Sequence, residues 1–190
     1  SDHNGNRSVA IGYQALLDQN FTTATNSNNT TVGYAAGKSI STGIVNTLIG
    51  SAAGDALTDA DYNTVIGYAA LTNDTLGSRT TAIGSSALQN QNFSTAQNAN
   101  NTAVGFQAGI SVTTGLSNTL LGSLAGYSLT DADNNVVVGY NALATDTMGS
   151  RSVAIGYEAL NTQNFSTATF SNNSAVGYRA GYDLTTGHNN

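Results

Sequence analysis

An aliphatic residue followed by glycine recurs ten times, at Gly12, Gly33, Gly50, Gly67, Gly84, Gly105, Gly122, Gly139, Gly156 and Gly177. The intervals are 21, 17, 17, 17, 21, 17, 17, 17 and 21 residues, so the pattern closes on a super-period of 72. Aligning residues 7–78 with 79–150 gives 44 identities in 72 positions, the mark of a duplicated four-unit block. A period in this range signals an array whose units bury their apolar faces on their neighbours.

The units share a frame. The residue before each glycine is always Ile, Val or Leu, among them Ile11, Ile66, Ile83 and Ile155. The third residue after it is always Ala, among them Ala15, Ala70, Ala87 and Ala159. The fourth before it is Asn, Ser or Thr. The frame predicts burial for the aliphatic residue, tight packing at Ala, and close backbone approach or positive φ at Gly. Segments such as Val9–Tyr13, Thr64–Tyr68 and Val136–Tyr140 are rich in β-branched and aromatic residues and bounded by turn formers, so they read as strands. No stretch holds a helical apolar period.

A second anchor sorts the units into two types. After Ala-Leu it lies nine residues beyond the glycine, at Phe21, Leu76, Phe93, Met148 and Phe165. After Ala-Gly it lies seven beyond, at Ile40, Leu57, Val112, Leu129 and Leu184. One unit therefore predicts two short strands and two turns. The fold expected is all-β: a single repeat array over 1–190, a parallel β-solenoid or β-roll of about ten 17- or 21-residue coils. At ~4.8 Å per coil it would span roughly 48 Å. The extra residues of the longer units, within 19–28, 91–100 and 163–172, predict a loop once every four coils. A triangular β-helix would need an aliphatic residue every six positions, and Thr72 and Ser78 break that rule after Ile66.

Composition fits this frame. The 190 residues include 24 Asn, 26 Thr, 19 Ser and 21 Gly, with 8% charged residues against roughly 25% in ordinary domains. Five basic residues deny a nucleic-acid footprint. No Cys means no disulfide framework or thiolate metal site. No apolar run approaches a ~20-residue membrane span, so no membrane insertion is expected of this segment. The interior is thin for a lone chain. Tyr13, Tyr34, Tyr68, Phe106, Tyr140, Tyr157 and Tyr178, each following a glycine, predict an aromatic row suited to an interface, and self-association as a homotrimer is expected. Both ends of the sequence break off inside the pattern, which predicts a fragment of a longer fibre.

The segments SVAIGYQA (Ser8–Ala15) and SVAIGYEA (Ser152–Ala159) resemble the head repeats of trimeric autotransporter adhesins, a family with a left-handed parallel β-roll. The units here are longer, and Ala rather than Ser stands three beyond the glycine. NTAVGFQAG (Asn101–Gly109) and NTLIGSAAG (Asn46–Gly54) are similar to repeat arrays of phage tail fibres and bacterial surface proteins. These resemblances imply an extracellular fibre, on a cell surface or virion, that mediates attachment to a surface or host. They transfer no binding residue.

Site candidates are few. Asp59 and Asp61, repeated as Asp131 and Asp133, are hard oxygen ligands in a calcium-like spacing, but Thr64 and Val136 stand where an EF-hand loop has glycine. A turn capped by Asp is the alternative, and no cofactor is otherwise expected. Asp2 with Arg7, Asp74 with Arg79, and Asp146 with Arg151 predict ion pairs across a turn, with an anion-binding Arg row as the weaker option. The loops around Phe21, Phe93 and Phe165 are the candidate contacts for a glycan or protein receptor. His3 and His188 have no repeated catalytic partner, and no enzyme is expected. Alternatives are a solenoid that binds ice or glycan lattices, suggested by Thr three before many glycines, or a tail-spike-type glycan-degrading enzyme.

Overall fold

A computed structural model of the chain describes residues 4–190. It is all-β and contains no helix. Ten three-residue strands, Val9–Ile11, Thr30–Val32, Thr47–Ile49, Thr64–Ile66, Thr81–Ile83, Thr102–Val104, Thr119–Leu121, Val136–Val138, Val153–Ile155 and Ser174–Val176, form one parallel sheet in chain order. Each residue lies opposite its repeat mate, as in Thr47↔Thr64 and Leu48↔Val65. The two types of coil keep the same register, Val9↔Thr30 across 21 residues and Thr64↔Thr81 across 17. The protein is a β-solenoid of ten stacked coils.

The expected second strand forms only at the longer units, where Gly5–Asn6, Gly77–Ser78 and Gly149–Ser150 pair with Thr25–Asn26, Gln97–Asn98 and Thr169–Phe170. Elsewhere that side of the coil is turn. Two residues beyond each glycine the backbone takes a positive φ, as at Ala69 (50°) and Leu124 (60°), and four beyond it does so again, at Leu71 (51°) or Gly54 (54°). Left-handed residues at this spacing prevent an extended run. Axial bonding continues regardless: Ser39 N–H donates to Asp55 O at 3.0 Å and Ser41 N–H to Thr58 O at 3.0 Å.

The core is built from three inward positions. The middle residue of each strand but the first, such as Leu48, Val65, Ala82, Leu120 or Val137, is buried, while Ala10 at the first coil is exposed. So are the expected alanines Ala70, Ala87 and Ala159, while Ala15 at the first coil is half-buried. The third position is the second anchor in Ala-Gly coils (Ile40, Leu57, Val112, Leu129), and in Ala-Leu coils the Leu itself (Leu71, Leu88, Leu143, Leu160). Leu76 and Met148, expected as anchors, are only half-buried, because Leu71 and Leu143 already fill the space. Sizes are complementary along the axis. A Cβ on Gly109 would lie 2.5 Å from Leu120 Cδ1, so Leu120 occupies what the glycine leaves open.

The aliphatic residue before each glycine corrects the sequence reading. Ile11 is 59% exposed, and Ile66, Ile83 and Ile155 are half-exposed. Strand side chains alternate, so a buried middle residue sends its neighbours outward. The glycine itself is fixed by the next coil: a Cβ on Gly67 would stand 2.4 Å from the carbonyl oxygen of Gly84, and its φ is +145°.

At the corner entering most strands runs a buried asparagine ladder. Asn118 N–H donates to Asn101 Oδ1 at 2.8 Å, Asn118 Nδ2 to Ala132 O at 2.7 Å, and Asn135 N–H to Asn118 Oδ1 at 3.0 Å. Among the described residues no buried side-chain nitrogen or oxygen lacks a partner. Asn118→Ala would leave the Asn135 N–H and Ala132 C=O without theirs, and chemical denaturation should show a loss of about 2–4 kcal/mol. Val45 occupies the corner position, five before a glycine, at φ 58°, where Asn28, Asn100, Asn134 and Asn172 stand in other coils. A β-branched residue is strained there and Asn is not. Val45→Asn should therefore raise stability by about 1 kcal/mol, seen as a higher melting temperature.

Candidate interaction surface

The outer face of the ten-stranded sheet carries three parallel rows. Three before each glycine stand Val9, Thr30, Thr47, Thr64, Thr81, Thr102, Thr119, Val136, Val153 and Ser174. One before stand Ile11, Val32, Ile49, Ile66, Ile83, Val104, Leu121, Val138, Ile155 and Val176. One after come Tyr13, Tyr34, Ser51, Tyr68, Ser85, Phe106, Ser123, Tyr140, Tyr157 and Tyr178. None of these side chains is charged, on a chain of net charge −6. All are exposed or half-exposed, Tyr68 at 66%. Parallel register stacks like on like: ring centroids lie 5.8 Å apart for Tyr13 and Tyr34, and 5.4 Å for both Tyr140–Tyr157 and Tyr157–Tyr178. The aromatic row was legible in the sequence; the aliphatic row beside it was not.

The rings of Phe21, Phe93 and Phe165, expected to be available for contact in the loops, are buried instead. They are 6–8% exposed, tucked beneath the insertion of each longer coil. The tips of the insertions are small residues, Ser94–Ala96 and Ser166–Ala168, and in the third the Phe170 ring also stands exposed. Sequence reasoning also missed what holds these coils. Gln91, buried, donates through Nε2 to Asp74 Oδ2 at 2.6 Å and to Thr80 Oγ1 at 3.1 Å, and accepts from Asn101 Nδ2 at 2.8 Å. Asp74 Oδ1 accepts the Gly77 N–H at 3.0 Å and the Phe93 N–H at 3.3 Å. Asp146, Gln163, Ser152 and Asn173 repeat the arrangement one super-period on. The glutamine bridges the gap in the asparagine ladder, where Thr80 or Ser152 replaces Asn. Its appearance at every longer unit (Gln19, Gln91, Gln163) was the available signal.

The same network overturns the expected ion pairs. The Asp74 and Asp146 carboxylates face inward and are satisfied by N–H donors, while Arg79 and Arg151 sit exposed at the outer corner. The Arg151 guanidinium lies over the Phe170 ring at 3.7 Å. Asp2 and His3 lie outside the described residues, and His188 is exposed. Among the described residues the ion pair that does form is Arg179 Nε with Glu158 Oε2, at 3.2 Å.

Asp59 and Asp131 accept Thr42 and Thr114 hydroxyls at 2.5 Å. Asp61 and Asp133 accept the Ile44 and Leu116 N–H groups at 2.8 and 2.7 Å. These carboxylates bond the coil below, in the manner of a capped turn. Among the described residues no group of three or more acidic or histidine side chains is placed to hold a metal ion, and no pocket is present.

No protein-family model, curated protein or solved structure matches the chain.

Partial burial raises the Asp61 carboxyl above its ordinary 3.8; the Ile44 N–H works against this and the Asp59 charge adds to it. A raised folded value means the contribution of this group to stability is present below 3.8 and lost as pH rises through the folded value. Asp61→Asn keeps the acceptor and removes the charge. At pH 7 it should be more stable than the parent, by less than about 1 kcal/mol given the exposure, with the difference vanishing by about pH 3 in denaturation measured across pH.

Proposed function

We propose that the chain is a stiff structural segment, shaft or head, of an extracellular adhesive fibre of the phage-tail or bacterial-surface kind, which holds an attachment site at a distance from the particle or cell. The observation that carries this reading is the unbroken register of the sheet from Val9 to Val176. Every coil repeats one cross-section, so added sequence becomes added length. The Asn and Gln ladders and the axial backbone bonds give that length rigidity with little bulky core. The adhesin-like segments Ser8–Ala15 and Ser152–Ala159 point the same way.

Rod behaviour is read by electron microscopy. Ten coils should measure about 48 Å, and inserting a further copy of the 72-residue block should lengthen the particle by about 19 Å at constant width. A particle that widens instead overturns the rod. Placement is tested with antibodies to the repeat, which should decorate filaments on intact cells or particles of the source. Label confined to the cell interior overturns the extracellular fibre.

A further inference from the structure

The threonines three before the glycine are a repeated motif that the rod itself does not use. Thr30, Thr47, Thr64, Thr81, Thr102 and Thr119 pair in register through six consecutive coils, half-exposed or exposed on the outer face. Among the described residues none of these hydroxyls has a hydrogen-bond partner in the protein, whereas the turn threonines Thr58, Thr113, Thr130 and Thr147 each donate to the neighbouring coil. Strand propensity accounts for β-branching, which valine meets as well, as at Val9, Val136 and Val153 toward the ends. It does not account for an unbroken row of hydroxyls. Nor does solvent: five beyond the glycine, the turn surface of the same coils holds Lys38, Asp55, Thr72, Gln89, Ile110 and Tyr127. One outward position accepts any residue; the other keeps a single shape.

We propose that this face binds ice. Two residues along each strand from its Thr stands an aliphatic residue: Val32, Ile49, Ile66, Ile83, Val104 or Leu121. The two rows make a lattice of about 6.6 Å by about 4.8 Å, continued over about 24 Å. Its points hold their places, because β-branched side chains are stiff at χ1 and the asparagine ladder fixes each coil on the next. A partner that meets a run of identical coils must itself repeat in two directions, which a crystal face does and a soluble protein does not. The chemistry names the crystal. Methyl groups order the water beside them without binding it, and an unpartnered hydroxyl anchors that layer at a fixed point. No charge interrupts either row, on a chain of net charge −6. A charge would turn the nearby water toward itself and out of the lattice. The layer so ordered joins the growing face of ice. The aromatic row stands outside the array, beyond the bend at each glycine, and in these coils Ser51, Ser85 and Ser123 interrupt it.

This goes beyond the fibre reading, and the two fail separately: a rod that ice excludes keeps the fibre and loses the ice face. The 190-residue chain should be enriched in slowly grown ice relative to albumin in the same solution, and should hold a seed crystal without growth below its melting point. Thr64→Lys combined with Thr81→Lys puts charge at the middle of the row without touching the core, and should abolish both effects with an unchanged circular dichroism spectrum. Thr81→Lys alone keeps the test open if the double variant unfolds, and should lower both. Tyr68→Ser combined with Phe106→Ser, and separately Gln89→Lys on the turn surface, should leave both intact. A parent excluded from ice, a folded lysine variant of the row that matches the parent, or a loss in the serine or Gln89→Lys variant overturns the proposal. So does sedimentation with crystalline cellulose in place of ice, which would assign the face to an ordered glycan.

Discussion

The asparagine four residues before the glycine is the part on which the rest of the rod depends. A strand of three residues makes too few ladder bonds to hold its own register, and the corner before it exposes a buried N–H and a buried C=O that no strand partner reaches. One carboxamide answers both: Oδ1 takes the N–H of the next coil and Nδ2 reaches the carbonyl three residues before that coil's own asparagine, as Asn46 does for Asn63 N and Ala60 O. Because the amide reaches only one coil, it fixes the rise and the register together. A slip by one residue would strand two buried groups per coil, at a cost of about 1–3 kcal/mol each. With register fixed this way, the interior is free to be thin.

The longer coils show how the same device tolerates interruption. Where Thr80 or Ser152 takes the asparagine position, the ladder would end, and four extra residues would push the coils apart. Gln91 and Gln163 instead arrive from the insertion and present a carboxamide in the missing place, held by the inward carboxylates of Asp74 and Asp146. Phe93 and Phe165 pack beneath the loop. Each insertion is thus a side branch on an uninterrupted rod, and the sheet passes it without changing register.

Much of this was legible in the glycine intervals: the class, the coil number, the alanine layer, the Ala-Gly anchors and the place of the loops. Two errors share a cause. Strict recurrence was equated with burial, so Ile66 and Ile83 were assigned to the core and the variable Val65 and Ala82 were not. In a three-residue strand only the middle side chain faces in, and its size can trade against Leu71 or Leu88 in the adjoining turn, which makes the true core position the tolerant one. The ion pairs failed because the glycine three beyond each Asp, Gly77 or Gly149, turns the carboxylate inward; a Cβ there would stand 2.1 Å from the carboxylate oxygen. Sequence distance to an arginine carried no information about that direction. The second strand is confined to the longer units because of left-handed backbone at Leu71 or Ala69, which cannot be read from residues with no preference for it.

Hydrogen bonds that run along the length of a rod are loaded in series when the rod is pulled. Each coil is tied to the next by one short ladder, one carboxamide and a few turn bonds, and no bond spans more than one neighbour. Tension therefore cannot be shared across the array, as it is where strands slide past one another in shear. The weakest coil opens first and releases about 50 Å of chain, seventeen residues extended less one coil's rise, before the next is strained. A filament made this way is rigid in bending and extensible under pull. It would damp a sudden load coil by coil, with each opened coil able to rewind on the template of the one beneath it.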